Sequence, residues 1–262
     1  MSTEQRMTYH LAWGICGAGH FLPESFEVLE RLKTKLPLQI TTFLSAAAEE
    51  VVRMYGYPQK LRQISDGSYY AEVIRESKQG RSFPKAGRLA QGFYDAFVVS
   101  PVTSNTVAKI VVGIADSLIS HCVTQALKGG VPVFLVPTDQ EQGLIRTKLP
   151  VTIDKAVCID HNCSESCPVV SACPQHAIRL IKTETGVFVP SIDLLKCRVL
   201  KRCITACKFG AISFLKEIEV KIRPLDIRNS RKLDTIEGLT RLSTPHQLIR
   251  ILQEHFQKNY NH

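Results

Sequence analysis

The chain of 262 residues lacks long hydrophobic runs and low-complexity segments. No apolar run reaches the roughly 18–20 residues that a membrane-spanning helix needs. The polar residues 1–8 lead directly into a strand-like run, so we expect no signal peptide, no membrane attachment and a cytoplasmic location. Hydrophobic residues make up 44% and charged residues 22% of the chain, which excludes a disordered or fibrous protein.

Cysteine is scarce outside one segment. Cys16 and Cys122 lie in apolar stretches, and we expect both to be small buried side chains. The other seven cysteines fall between residues 158 and 207. A secreted disulfide protein would spread its cysteines along the chain, whereas clustering in a cytosolic chain indicates metal binding.

The formal net charge of +9 is unevenly placed. Residues 196–232 contain eleven Lys and Arg against three acidic residues, a net charge of +8. We expect no nucleic-acid binding, because these basic residues surround the cysteines and no nucleic-acid motif accompanies them. Positive charge beside thiolate-bound iron would offset an anionic cluster and attract an acidic partner or substrate.

Strand-like and helical patterns alternate over the first 140 residues. Strands are predicted over 9–16, 38–44, 96–100 and 132–136, with helices over 23–35, 46–55 and 106–115. Continuous apolar strands alternating with helices predict an α/β, Rossmann-like domain whose parallel sheet is covered on both faces. Ligands of such folds bind beyond the carboxyl ends of the strands.

The loops after three of these strands are rich in small and polar residues. Gly17-Ala18-Gly19 would let backbone amides approach a phosphate at a helix N-terminus. The dinucleotide motif G-x-G-x-x-G fails because Leu22 stands at its third glycine, so NAD is not supported. The polar loop over 101–106 has a plainer alternative, which is a cluster that caps the next helix.

The segment Ser100-Pro-Val-Thr-Ser-Asn-Thr-Val-Ala-Lys-Ile110, with Gly113-Ile-Ala-Asp-Ser-Leu118, resembles the FMN-binding flavoprotein family. The resemblance implies an FMN site near subunit contacts in a homotrimer or a multiple of it. It assigns FMN binding to Gly17, Ala18, Gly19, His20, Ser45, Ala46, Ala47, Pro101, Thr103, Ser104, Asn105, Thr106, Asp116, Ser117 and Leu118. Decarboxylases of the family end their fourth strand in Pro-Ala-Met-Asn, but this chain has Pro137-Thr-Asp-Gln140, which weakens a decarboxylase reading.

The cysteines form two related groups, Cys158-x4-Cys163-x3-Cys167-x5-Cys173-Pro and Cys197-x5-Cys203-x3-Cys207. Their final cysteines are 34 residues apart and begin similar phrases, and this repeat resembles a bacterial two-cluster ferredoxin. The resemblance assigns one cluster to Cys158, Cys163, Cys167 and Cys207, and the other to Cys173, Cys197 and Cys203. Zinc is the alternative metal.

The second group departs from the ferredoxin pattern because Leu200 stands where a cysteine is usual. The first cluster, with four cysteines, is expected to be [4Fe-4S]. The second is either [3Fe-4S], or [4Fe-4S] with a fourth ligand from elsewhere or from solvent.

The combination resembles the archaeal-type dihydromethanopterin reductase (acceptor) family of iron–sulfur flavoproteins, with further likeness in Gly19-His-Phe-Leu-Pro-Glu-Ser25. We expect domains over 1–148 (FMN binding), 149–222 (two-cluster ferredoxin) and 223–262 (basic linker and helix). The resemblance implies reduction of 7,8-dihydromethanopterin in tetrahydromethanopterin biosynthesis, with electrons passing from an external donor such as a ferredoxin through the clusters to FMN. Asn105, Thr106 and Asp139 are the candidate catalytic residues. The alternative is an electron relay without a pterin substrate.

Overall fold

The computed structural model describes residues 8–258, and Lys258 by its backbone alone. The chain divides into two compact units. The first contains residues 8–51, 58–144 and 221–258, and the second contains residues 52–57 and 145–220. Across the described part of the chain, helices that combine the length and the hydropathy required to cross a membrane are absent.

A six-stranded parallel sheet forms the centre of the first unit, in the order β3-β2-β1-β4-β5-β10. The strands are β1 (Tyr9–Ile15), β2 (Leu38–Leu44), β3 (Val73–Arg75), β4 (Ala96–Val102), β5 (Val133–Pro137) and β10 (Leu239–Arg241). Outward from β1 the strands follow chain order on both sides, β2 and β3 on one side and β4, β5 and β10 on the other. This is the doubly wound arrangement of Rossmann-like folds, so the predicted fold class is confirmed.

Helices connect these strands. Those before residue 144 are α1 (Leu22–Lys35), α2 (Ala46–Met54), α3 (Pro58–Ile64), α4 (Gly87–Ala90), α5 (Ser104–Val112) and α6 (Leu118–Lys128). The helices after residue 221 are α10 (Pro224–Lys232) and α11 (Gln247–Lys258). Three short 3₁₀ helices cover Glu76–Lys78, Pro84–Ala86 and Leu233–Thr235.

The four predicted strands all form, but two edge strands of three residues each, β3 and β10, were not predicted. Residues 223–262 were expected to be a linker and helix outside both domains. This expectation needs correction, because the described part of this segment belongs to the first unit and supplies β10, which pairs with β5. Three-residue strands carry too little alternation to be recognised in sequence, and only pairing with a neighbour defines them.

Large aromatic side chains fill the core around the sheet. Trp13, Phe26, Phe43 and Phe97 have no exposed surface, and the rings of Trp13 and Phe26 meet edge to face at 5.0 Å. Burying each such side chain contributes on the order of 2–3 kcal/mol to folding. The core therefore makes the carboxyl ends of the central strands a rigid base for the loops that follow them.

Two small antiparallel sheets organise the second unit. The strands β6 (Leu144–Ile153) and β9 (Ile212–Lys221) form one, and β7 (Ile178–Lys182) and β8 (Phe188–Ile192) form the other. Short helices accompany them: α7 (Lys155–Asp160), α8 (Pro168–Ser171) and α9 (Arg202–Ala206). The starts of α8 and α9 are 34 residues apart, as are those of β7 and β9, so the sequence repeat is also a repeat of structure.

Candidate functional site

The strand order of the first unit reverses between β1 and β4, and such a switch point is where doubly wound folds bind ligands. The loops after the central strands meet there. The Cys16 amide donates to the Pro101 carbonyl (3.1 Å), and the Thr138 amide donates to the Val102 carbonyl (3.1 Å). We call the segments 17–20, 45–47, 101–106 and 138–139 the crevice loops. They include most of the residues that the sequence assigned to FMN.

The first two crevice loops touch at Gly17. A Cβ atom on Gly17 would lie 2.4 Å from the Cβ of Ala47, so any larger residue would push the two loops apart. Ser45 closes the second loop, because its hydroxyl accepts a hydrogen bond from the Ala48 amide (3.1 Å) at the start of α2. Glycine is therefore required at position 17 for close backbone approach rather than for an unusual φ.

The third crevice loop is organised by two threonines. The Thr103 hydroxyl accepts from the Thr106 amide (3.4 Å) and caps α5, while the Thr106 hydroxyl accepts from Cys16 Sγ (3.5 Å). Burial raises the pKa of the Cys16 thiol to about 11, and the hydrogen bond to Thr106 opposes this only in part. Thr106 is buried and its hydroxyl is engaged by the protein, which favours a positioning role for this predicted catalytic residue.

The other two predicted catalytic residues are placed differently. Asp139 follows β5, and its carboxylate accepts hydrogen bonds from the hydroxyls of Ser104 and of Thr138, the latter at 3.0 Å. Asn105 is exposed in the first turn of α5, and its side chain has no hydrogen-bond partner within residues 8–258. Their chemistry suits contact with a ligand, with Asp139 held as an acceptor and Asn105 able to donate and accept.

One acidic residue of the site was missed in the sequence. The Glu76 carboxylate accepts from the Ala46 amide (2.9 Å) and the Leu118 amide (3.3 Å), so it lies at the N-termini of α2 and α6. The amides of Ala46 and Leu118, both predicted to bind FMN, thus already donate hydrogen bonds to a carboxylate of the protein itself. No pattern around Glu76 could have identified it, since its partners lie 30 and 42 residues away.

The remaining predicted residues of this region belong to the start of α6. Asp116 forms an ion pair with Lys109 (2.6 Å). The hydroxyls of Ser117 and Ser120 are 2.8 Å apart and form a capping box. His20 packs against the ring of Phe21, with ring centroids 4.0 Å apart.

The crevice loops fit FMN on two structural grounds. Glycine at position 17 lets the first crevice loop approach Ala47 of the second closely, and the N-terminus of α5 has a favourable dipole for a phosphate. The hydroxyls and amides around it are of the kind that bind a ribityl chain. Residues 101–106 would hold FMN from the β4 side, and residues 17–20 from the β1 side.

The second unit brings the seven clustered cysteines together in two sets. The first cysteine site consists of Cys158, Cys163, Cys167 and Cys207, which line a cavity of about 230 Å³. Burial, with a smaller contribution from the neighbouring Cys163, raises the pKa of Cys158 to about 11. These four residues are the set that the ferredoxin resemblance assigns to one cluster.

The second cysteine site consists of Cys173, Cys197 and Cys203, which line a cavity of about 20 Å³ together with Leu200 and other residues. Burial raises the pKa of Cys203, and the nearby thiols of Cys197 and Cys173 raise it further. Leu200 thus lines the second cysteine site, where the ferredoxin pattern would place a cysteine.

Backbone amides contact one sulfur of each site. The Ala177 amide donates to Cys173 Sγ (3.4 Å), and the Ala211 amide donates to Cys207 Sγ (3.3 Å). Hydrogen bonds to sulfur stabilise thiolates and set cluster potentials. Within residues 8–258, groups of three or more His, Cys, Asp or Glu side chains spaced to hold a single metal ion are absent. The thiolate-only chemistry, the cavity and these amides fit an iron–sulfur cluster at the first site, which the four thiolates would hold.

The doubly wound sheet, the switch-point crevice and its loops together define a flavoprotein. Consistently, the sequence profile of the family described as Flavoprotein matches residues 1–145.

Relatives identify the family more narrowly. The dihydromethanopterin reductase (acceptor) of Methanosarcina mazei is 46% identical over 92% of this chain and 98% of its own. The enzyme of that name from Methanocaldococcus jannaschii is 42% identical over 91% of this chain and 94% of its own. The chain belongs to the dihydromethanopterin reductase (acceptor) family, whose named members are oxidoreductases.

A solved structure shows the same fold. Burkholderia xenovorans DmrB in complex with FMN, described as a cubic protein cage for redox transfer, superposes with a TM-score of 0.58. The two chains share 23% identity, and the match covers 97% of this chain and 98% of DmrB. At this identity the likeness establishes the fold alone.

Proposed function

We propose that the protein is an iron–sulfur flavoenzyme that reduces 7,8-dihydromethanopterin to tetrahydromethanopterin. The observation that carries the proposal is that the likeness to the named reductases extends over both units, and so includes the crevice loops and both cysteine sites. An electron relay without a pterin substrate would need the cysteine sites as well, and the test below separates the two.

The reaction adds two electrons and two protons to the pterin. When bound, FMN supplies a hydride to the imine carbon, and the cysteine sites, when loaded, supply single electrons that restore it. A proton goes to the adjacent pterin nitrogen, and the electrons come from a reduced one-electron donor outside the chain.

In this proposal the residues of the crevice loops bind and orient the pterin and the flavin. The Thr103–Thr106–Cys16 hydrogen bonds hold the start of α5 in place. The Asp139 carboxylate, held by Ser104 and Thr138, is an acceptor for N–H groups of the pterin or the flavin ring. The Asn105 amide is the complementary donor. We further propose that the active assembly is a homotrimer or a multiple of it, with FMN near subunit contacts.

The test uses protein loaded with FMN and iron, reduced with dithionite and freed of excess reductant without oxygen. Adding 7,8-dihydromethanopterin should restore the oxidised flavin absorbance and yield one tetrahydromethanopterin for every two electrons that the reduced flavin and clusters held. Dihydrofolate is the comparison substrate. Asp139→Asn should slow the pterin reaction by roughly tenfold or more, as loss of a charged hydrogen-bond partner does. A flavin that stays reduced with pterin but passes electrons to a second protein would favour the relay.

A further inference from the structure

Along the chain near the second cysteine site, exposed basic residues alternate with residues that line the site. In the segment Lys196-Cys-Arg-Val-Leu-Lys-Arg-Cys203, both cysteines, Leu200 and Arg202 line the site, and every charged residue of the segment is basic. The four basic side chains of this segment are all exposed, and each is close in sequence to a residue that lines the site. They are Lys196, Arg198, Lys201 and Arg202.

Little in the protein neutralises these charges. Among residues 8–258, Lys196 alone of the four has a carboxylate within 4.0 Å, that of Asp193 at 3.8 Å. The Lys201 ammonium lies 4.4 Å from the centre of the Phe214 ring, which leaves its charge in place. No acidic residue occurs between positions 194 and 216, where the chain has six basic ones. The segment therefore projects a concentrated positive field.

The first cysteine site is nearly neutral. Its segment, residues 155–176, contains Lys155 against Asp160 and Glu165, and Lys208 is a further basic residue that lines its cavity. Two sites related by a repeat thus differ in the charge that they present to solvent. A negatively charged molecule would be steered to the second site and not to the first.

An apolar side chain lies at the centre of the basic residues. Leu200 is 50% exposed and also lines the second site, so a molecule that contacts Leu200 comes close to whatever this site holds. The flanking Val199 and Lys201 have φ values of 55° and 61°. A β-branched residue rarely adopts such a φ, and residues held this way cluster at functional sites. An apolar centre within a charged rim is also the usual anatomy of a protein interface.

We propose that Lys196, Arg198, Leu200, Lys201 and Arg202, which we call the basic rim, dock an acidic protein that carries one electron. The inference rests on the proposed function, since it names where that function's external donor binds. At each encounter the carrier is oxidised by one electron and the second cysteine site's cluster is reduced by one, with no atom transferred. Two encounters supply one pterin reduction.

The experiment measures electron entry directly. Loaded protein is mixed without oxygen with a reduced, net-negative two-cluster bacterial ferredoxin, and bleaching of cluster and flavin absorbance is followed by stopped flow. Arg198→Glu with Lys201→Glu should lower the second-order rate constant by about tenfold or more at low salt, as loss of steering does. The wild-type constant should fall with added salt. The rate of reduction by photoreduced 5-deazariboflavin, a small neutral reductant that needs neither docking nor electrostatic steering, should change less than about twofold.

A matched pair of substitutions controls for net charge. Lys155→Glu with Arg179→Glu reverses the same number of exposed basic residues within the second unit but outside the basic rim. This pair should keep the ferredoxin rate within about twofold of wild type. Equal losses in both pairs, or no loss in the rim pair, would overturn the proposal.

Two further measurements keep the outcome decisive. If the rim variant loses iron, Arg198→Gln with Lys201→Gln replaces it, and the anisotropy of dye-labelled ferredoxin reports binding without electron transfer. Unweakened binding in that variant counts against the proposal. Pterin reduction by dithionite-reduced variant protein tests the proposed function separately, because the ferredoxin takes no part in it.

Discussion

The two cysteine sites of the second unit derive from the same repeat, yet they have diverged. The first has four cysteines around a cavity of about 230 Å³, and the second has three cysteines and Leu200 around about 20 Å³. Equivalent backbone positions are kept, since His176 and Gly210, 34 residues apart, both have positive φ. The Ala177 and Ala211 carbonyls each accept a 2.7 Å hydrogen bond from an aspartate amide, of Asp193 and Asp154 respectively.

The comparison teaches that a repeat can preserve its backbone while its side chains change task. The first site keeps a full set of thiolates and a nearly neutral segment. The second gives up one ligand position and gains a row of exposed basic residues. We interpret the first as the complete cluster site and the second as the site at which electrons enter.

The largest expected effect comes from removing one thiolate of the first site. Cys163→Ser should destabilise its cluster, so that bound iron falls by about half while the second site keeps its share. Iron quantitation and EPR of reconstituted protein check this. Cys122→Ala is the control, because Cys122 is buried in the core of the first unit, and it should leave iron unchanged. Iron that stays full in Cys163→Ser contradicts the assignment.

The second-largest effect is expected from a substitution that gives both cysteine sites four thiolates. Leu200→Cys supplies the missing thiolate, so bound iron should rise by about one per chain if the second cluster has three irons. The EPR signal of an oxidised three-iron cluster should then disappear. Leu195→Cys, which adds a cysteine at a similarly exposed leucine, should change neither quantity. Wild-type protein that already shows two four-iron clusters would mean that a ligand outside the protein completes the site.

A third prediction separates the crevice from the cysteine sites. Gly17→Ala places a Cβ 2.4 Å from that of Ala47, and FMN affinity should fall by about tenfold or more as the loops shift. Iron content should stay the same. Flavin fluorescence titration measures the affinity. Gly80→Ala is the control, since nothing lies near its Cβ position, and Ala47→Gly should rescue Gly17→Ala.

The smallest effect concerns β10 in the first unit. The hydrogen bonds from Arg241 at 2.7 and 2.9 Å hold the pKa of the Asp234 carboxyl below its usual range. A lowered folded-state pKa stabilises the protein above the unfolded value, near 4, and this stability disappears as the pH falls through the folded value. Because the pair is partly exposed, Arg241→Gln should cost less than about 1 kcal/mol. Unfolding in denaturant should show this loss at pH 7 and none near pH 2.

Much of the candidate site could be predicted because its residues are adjacent in sequence. The loops over 17–20, 45–47 and 101–106 each follow a buried strand, and parallel strands bring their carboxyl ends to one edge of the sheet. The assignment of Cys207 to the first site and of Cys173 to the second followed from the ferredoxin resemblance and not from spacing alone. Glu76 was missed, because its role depends on amides of α2 and α6 that only the folded chain brings to it.

The order of residues alone thus determined the α/β class, the position of the crevice loops, the repeat and the place of Leu200. Each is encoded over short stretches by hydrophobic period or by spacing. Only tertiary structure decided that residues 239–241 complete the sheet, that Thr106 turns towards Cys16, and that Leu200 is both in the wall of its site and exposed. These features depend on contacts between distant parts of the chain, whose free energy no local pattern records.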